Sequence, residues 1–309
     1  MTRPQLSYYA HGKLLLTGEY LVLVGAKALA LPLKVGQVLE VVQKDSGGEI
    51  LRWKSWVPNG IWFEGSFDVR SLSMIMGSDK SIGLRLEEIL RKTRLLNPQF
   101  LIGQEVDVTT TLEFDPQFGL GSSSTLILNL ARWANVDPFE LQKITFYGSG
   151  YDIACGKAEK PLIYSLKNDL PQIEPVDFNP VFSDHLYFVY LGHKERSLDA
   201  VKRFNKKQSY SDIDLKRISE ITNRLAQSQS LAEFERLLRE HEKIMASVLG
   251  RETIQKQRFS FYKDGVVKSL GAWGGDFVLV TSPMATNDFK SLMKQHGFHT
   301  VYPFQELVL

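Results

Sequence analysis

Cysteine is almost missing from this chain: Cys155 is the only one in 309 residues. A lone thiol excludes an intrachain disulfide and a cysteine-based zinc cluster, and fits a reducing compartment. An excess of charge is missing as well. The 37 Lys and Arg residues nearly balance the 35 Asp and Glu, leaving a formal +2, so there is no basic field for nucleic acid or an anionic membrane. No apolar run reaches the roughly 18 residues that a membrane-spanning helix needs. The opening Met1-Thr2-Arg3-Pro4-Gln5 lacks the apolar stretch of a signal peptide. A cytoplasmic protein with neither nucleic acid nor membrane as a partner is the expectation. The six histidines have no metal-ligand spacing, so His193, His241 and the others read as core or surface residues.

What is present is ordinary globular composition, 43% hydrophobic and 23% charged. The length suggests about two domains, at roughly 100–200 residues each. Residues 168–184, with prolines and acidic or amide turn residues, read as the boundary, giving domains 1–180 and 181–309. Segments 13–24, 35–43, 50–56 and 60–67 have strand composition, the first broken by Thr17-Gly18-Glu19. Segment 106–114 alternates Val106, Val108, Thr110, Leu112 and Phe114 with the period of a half-buried strand. Residues 84–95 put Leu86, Ile89 and Leu90 on one helical face. Residues 124–134 read as a buried helix, and Asp137-Pro138 as the cap and first position of the next. Beyond the boundary, strands are expected at 185–192, 277–281 and 298–302, and helices at 198–205, 212–229, 231–249 and 287–296. The tryptophans at 53, 56 and 62 are expected to pack a sheet face. This is an α+β chain with a glycine-rich loop in each half.

The first loop is Pro116-Gln117-Phe118-Gly119-Leu120-Gly121-Ser122-Ser123-Ser124, between a strand and a helix. Glycines admit positive φ and close ligand approach. A helix starting at the serines would aim free N–H groups and a positive dipole end at an anion. A serine-capped helix after a tight turn is the other reading of the same residues. Lys13 is either a surface lysine or a site cation, and Glu19 either bonds substrate or caps its turn. Asp152, in Gly148-Ser149-Gly150-Tyr151-Asp152, is either a helix cap or a carboxylate that takes a proton from an acceptor hydroxyl.

The loop resembles the second motif of the GHMP kinases, a superfamily of small-molecule kinases that includes mevalonate and phosphomevalonate kinase. Ala10-His11-Gly12-Lys13 through Leu23 resembles the first motif, continuing through Gly25 and Ala28-Leu29-Ala30-Leu31-Pro32, with His11 where proline is usual. Lys268-Ser269-Leu270-Gly271-Ala272-Trp273-Gly274-Gly275-Asp276 resembles the third, with Trp273 and Asp276 in place of glycines. The segment ending at Asp152 is similar to that of phosphomevalonate kinases. The resemblance implies a two-domain fold, with an N-terminal domain like ribosomal protein S5 domain 2 and a ferredoxin-like C-terminal domain. It implies ATP and Mg²⁺, with Gly119, Leu120, Gly121, Ser122, Ser123, Ser124, Gly271, Ala272, Gly274 and Gly275 around the nucleotide. Ser123 would be the metal ligand, Asp152 the base and Lys13 its electrostatic partner. The family's glutamate ligand falls on Leu141, with Glu140 adjacent; a solvated helix residue is expected there. Lys194 and Arg196 suit an anionic acceptor, and mevalonate or phosphomevalonate is the acceptor expected. A diphosphomevalonate decarboxylase-like enzyme, or an inactive ligand-binding protein of the same fold, are the alternatives. A monomer or homodimer is expected.

Overall fold

The computed structural model describes residues 6–44, 48–193, 201, 204, 209–273 and 275–309. By contacts the chain forms two compact units. Unit one contains residues 1–12, 35–116 and 120–157; unit two contains 13–34, 117–119 and 158–309. Strands β1 (Leu6–Leu15) and β2 (Ala28–Lys44) each contribute residues to both. Segment 13–24, expected as an interrupted strand, instead ends β1 and then forms a 3-10 turn at Leu21–Val24.

Unit one is a mixed sheet under helices. β3 (Ile50–Val57) and β4 (Gly60–Asp68) form an antiparallel pair, and β5 (Met74–Gly77) adds to β4. β3 runs parallel to β6 (Glu105–Leu112), which pairs antiparallel with β2 from Gln37↔Leu112 to Lys44↔Glu105. The period-two pattern of β6 holds, with Val106, Val108, Thr110 and Leu112 all buried. The core joins these to Leu39, Val41, Trp53, Phe63 and Phe67, and to helices α1 (Lys80–Leu96), α2 (Ser122–Ala134) and α3 (Pro138–Thr145). Only one of the three clustered tryptophans packs the core face. Trp53 is 2% exposed, whereas Trp56 is 38% and Trp62 42% exposed. Alternation sends Trp53 and Trp56, three positions apart, to opposite faces of β3. The last helix of the unit is α4 (Tyr151–Gly156).

In unit two the first residues of β2 pair with β7 (Leu162–Lys167), and β7 pairs with β8 (Leu170–Pro175). Part of the segment read as a linker is therefore a strand. Asn168 (φ 53°) and Asp169 (φ 60°) make the two-residue hairpin turn in which both φ values are positive. Among the described residues β8 pairs with β7 alone, which is why it tolerates Pro171 and Pro175. A second, antiparallel sheet has the order β10 (Val267–Ser269), β11 (Phe277–Thr281), β9 (Leu186–Tyr190), β12 (Val301–Pro303). Helices α5 (Asp212–Ala226), α6 (Leu231–Leu249), α7 (Ile254–Gln257), α8 (Thr286–Gln295) and α9 (Phe304–Leu307) complete it. Ser211 and Asp214 form a reciprocal capping box on α5. Of the helix expected at 198–205, only 201 and 204 are described residues. No helix among the described residues is long and apolar enough to cross a membrane.

Candidate active site

The first glycine loop opens α2, and its conformation requires glycine. Gly119 has φ 69° and Gly121 φ 103°, both left-handed. Gly121 is the N-cap and makes no side-chain cap bond, so the serine-capped alternative does not hold. Ser122 begins the helix half-buried and Ser123 is exposed. Neither hydroxyl has a hydrogen-bond partner among the described residues. Ser124 is buried, and its Oγ donates to the Gly121 carbonyl at 2.9 Å. Leu120 turns its side chain into the core. Of the six loop residues expected to meet nucleotide, Leu120 and Ser124 brace the turn, while Ser122 and Ser123 keep hydroxyls without hydrogen-bond partners among the described residues.

The loop is held from both ends. Thr125 Oγ1 donates to Gln37 Oε1 (2.9 Å), and Asn129 Nδ2 to the Gln37 carbonyl (2.8 Å), fixing α2 on β2. On the other side Tyr190 donates to the Gln117 carbonyl at 3.1 Å. Phe118 packs against Tyr190, Phe277 and Tyr302, with centroids 4.8, 5.7 and 6.5 Å away. Lys13 lies on β1, and its Nζ donates to the Gly119 carbonyl at 2.8 Å. Lys13, expected as a site cation, is thus bonded to the glycine loop itself.

Asp152 stands in the first turn of α4, whose N-cap is Gly150. Its Oδ1 accepts from Gln142 Nε2 at 2.6 Å and from the Ile153 amide at 3.1 Å. It is half-buried and its Oδ2 has no hydrogen-bond partner among the described residues. Leu141, at the family's glutamate position, is fully buried, and Glu140 is exposed. Among the described residues no group of three or more His, Cys, Asp or Glu could hold a metal.

The third glycine cluster keeps a glycine-like backbone where it has lost glycine. Trp273 has φ 50° and Asp276 φ 58°; a non-glycine residue in this region carries strain of about 1–3 kcal/mol. Trp273 offsets it by burial in a cluster with Leu21, Ala26, Ile218, Met245 and Val248. The loop carbonyls are tied down: Ala272 O accepts from Tyr20 at 2.7 Å and Trp273 O from Arg251 at 2.6 Å. Ala272 and Gly275 are buried and Gly271 is half-buried, while Gly274 lies outside the described residues, as do Lys194 and Arg196. Asp276 packs its carboxylate on Gly119. A Cβ on that glycine would lie 2.4 Å from Asp276 Cγ and 2.5 and 2.6 Å from its oxygens.

A buried charged group that sequence reasoning missed joins the first and third motifs. Lys268, 0% exposed, bonds Glu19 Oε1, and Glu19 is 1% exposed. Glu19 is therefore buried against Lys268 rather than held at the surface of its turn. His241 Nε2 accepts from the Gly18 amide at 3.0 Å and lies 3.3 Å from Glu19 Oε2. Glu242 accepts from the Ile254 amide (3.2 Å) and from the Ser269 amide (3.1 Å) and hydroxyl (3.0 Å). Burial pushes the Glu19 carboxyl up to about 7 against the pull of Lys268, and raises Glu242 too. Burial and Lys268 together push His241 well below its ordinary range. Lys268 thus lies within the field of both carboxylates, Glu19 and Glu242. Glu242 has three donors to support its charge. Glu19 accepts from Lys268 at Oε1, while its Oε2 has no hydrogen-bond partner among the described residues. Only Glu19 and Lys268 stood in recognised motifs; nothing in the sequence linked them to each other.

Neither a family model nor a curated protein matches the sequence. Solved structures do. Methanococcus jannaschii mevalonate kinase is 13% identical, with 97% of each chain covered and a TM-score of 0.70. Streptococcus pneumoniae phosphomevalonate kinase, in complex with phosphomevalonate and AMPPNP, is 18% identical, covering 96% of this chain and 99% of that one (TM-score 0.69). Lactococcus lactis galactokinase with galactose is 13% identical, covering 96% and 89% (TM-score 0.62). The chain therefore has the two-domain α+β fold of the GHMP kinases.

Proposed function

We propose that this protein is an ATP-dependent small-molecule kinase, acting in the cytoplasm as a monomer or homodimer, with residues 1–180 and 181–309 as its two modules. The observation that carries the reading is the loop at Gly119–Ser123. It has two left-handed glycines, two serine hydroxyls without partners among the described residues, and a helix N-terminus behind them. Such a loop suits the phosphates of a nucleotide. Lys13 would stabilise charge on the transferred group, and Asp152 Oδ2 would accept the acceptor's hydroxyl proton. For Mg²⁺ the loop offers Ser123 Oγ without a carboxylate from position 141, so the nucleotide phosphates would supply most of its ligands. The acceptor we favour is mevalonate or phosphomevalonate, on the similarity of the Asp152 segment and the likeness to kinases named for those compounds. Purified protein, ATP and Mg²⁺ with a panel of mevalonate-pathway and sugar acceptors should give acceptor-dependent ADP release. Turnover on none of them overturns the proposal, and carbon dioxide release identifies the decarboxylase instead.

A second reading, a ligand-binding protein without turnover, is favoured by the Asp276 carboxylate on Gly119. A fixed negative charge a few ångströms from a phosphate costs up to about 4 kcal/mol at an effective dielectric of 20. Asp276→Gly removes both that charge and the left-handed strain. Calorimetric titration should find ATP bound about tenfold more tightly, or about 1.4 kcal/mol. Equal or weaker binding by the variant would show that Asp276 does not oppose the nucleotide.

A further inference from the structure

Gln142 is a polar side chain in an unusual place. It lies on α3 only 5% exposed, although glutamine loses much rotamer freedom on burial. The helix around it is well fixed. Asp137 caps its start through Oδ1, with Pro138 at the first position. At its end the Gln142 carbonyl accepts from the Phe146 amide at 2.8 Å, the Tyr147 amide at 3.3 Å and Thr145 Oγ1 at 3.2 Å. From this base the side-chain amide reaches Asp152 Oδ1 at 2.6 Å. Together with the Ile153 amide it places two donors on one carboxylate oxygen and none on the other. The other charged groups on helices packed against α4 are engaged or exposed. Arg132 on α2 donates to the Tyr9 carbonyl, and Glu140 and Lys143 on α3 are exposed.

We propose that Gln142 is the positioning residue of Asp152, fixing Oδ1 so that Oδ2 is the oxygen presented to a hydroxyl. The geometry stands by itself; its kinetic consequence rests on the kinase reading above. An amide suits the task because it donates to the carboxylate without carrying a charge that would oppose ionisation. A carboxylate at the same position would be a like charge in hydrogen-bond range, and would push the proton back onto the pair.

The test reads Asp152 directly, by carbon-13 NMR of labelled aspartate carboxyls, with the Asp152 signal assigned by its loss in Asp152→Asn. In Gln142→Glu its titration midpoint should move up by about one pH unit, since like charges disfavour ionisation. In Gln142→Met, of similar volume, kcat should fall about tenfold, with KM for ATP within about twofold. Both variants should melt close to the parent. An unmoved midpoint in folded Gln142→Glu, or an unchanged kcat in folded Gln142→Met, overturns the proposal. A parent without turnover refutes the kinase reading and leaves the NMR result to decide this one. If neither variant folds, the parent and Asp152→Asn decide it. The Gln142 side-chain amide signal should follow the Asp152 titration and become insensitive to pH in Asp152→Asn. An amide signal that does not follow it overturns the proposal too.

Discussion

Lys268→Met is expected to destabilise the protein by about 3–5 kcal/mol, the usual cost of removing one partner from a buried ion pair. The side chain that remains is of similar length, so the loss is electrostatic rather than a cavity. Without the lysine, Glu19 and Glu242 face each other's field with no cation, and both must take protons to stay buried. Against a total stability of roughly 5–15 kcal/mol this is a large fraction. At about 2–4 °C per kcal/mol for a protein of this class, the melting temperature should fall by on the order of 10 °C. Because the pair is closed to solvent, added salt should leave the difference almost unchanged. Pairing the substitution with Glu19→Gln should recover part of the loss, because the second change removes one of the two stranded carboxylates. A Lys268→Met protein melting within about 2 °C of the parent, a shift worth about 1 kcal/mol or less, would mean that the cluster contributes little to holding the first motif.

Asp152→Asn should have the largest effect on activity. Oδ1 of the asparagine can still accept from Gln142 Nε2 and the Ile153 amide, so the side chain should stay where it is. What changes is Oδ2, which becomes an amide nitrogen that can donate a proton but not take one. Acceptor-dependent turnover should fall by about 10²–10⁴, the usual contribution of a positioned general base. Melting temperature and KM for ATP should be nearly unaltered. Steady-state kinetics on the acceptor identified by the panel measure it, and turnover equal to the parent's removes Asp152 from the chemistry.

Much of the fold was legible because local signals and tertiary packing agree. The cap at Asp137-Pro138 announces α3 at the residue where it begins, and the alternation along β6 matches its buried face. Misreadings occurred where a local signal competed with a distant one. Pro171 and Pro175 suggest a linker, but an edge strand accepts them. Leu84 marks an apolar periodicity, yet α1 starts at Lys80, one residue after the Asp79 cap, whose side chain accepts from the Ile82 amide. At the candidate site the glycines at 119 and 121 could be read because left-handed φ values select for glycine itself. Trp273 and Asp276 could not, because the backbone kept that conformation under side chains that hide it. Gln142 was not legible because the motif marks Leu141 and Glu140 by aligned position, whereas the contact to Asp152 depends on which face of α3 turns inward.

The Glu19–Lys268 contact has a consequence for how the chain acquires its shape during synthesis. Its partners are separated by 249 residues. At about 5–20 residues per second, Glu19 waits on the order of 10–50 s for its lysine to be translated. Unit one contains no residue beyond 157, so all of it is translated while the remainder is still emerging. The segment 13–34 cannot follow. Thr17 needs Thr222, Gly18 needs His241, and Leu33 bridges to Val308. The stretch that begins with Lys13 is thus translated well before its partners and buried only after them. A long-range closure of this kind is slow, and until it is complete the carboxylate of Glu19 stays ionised in water.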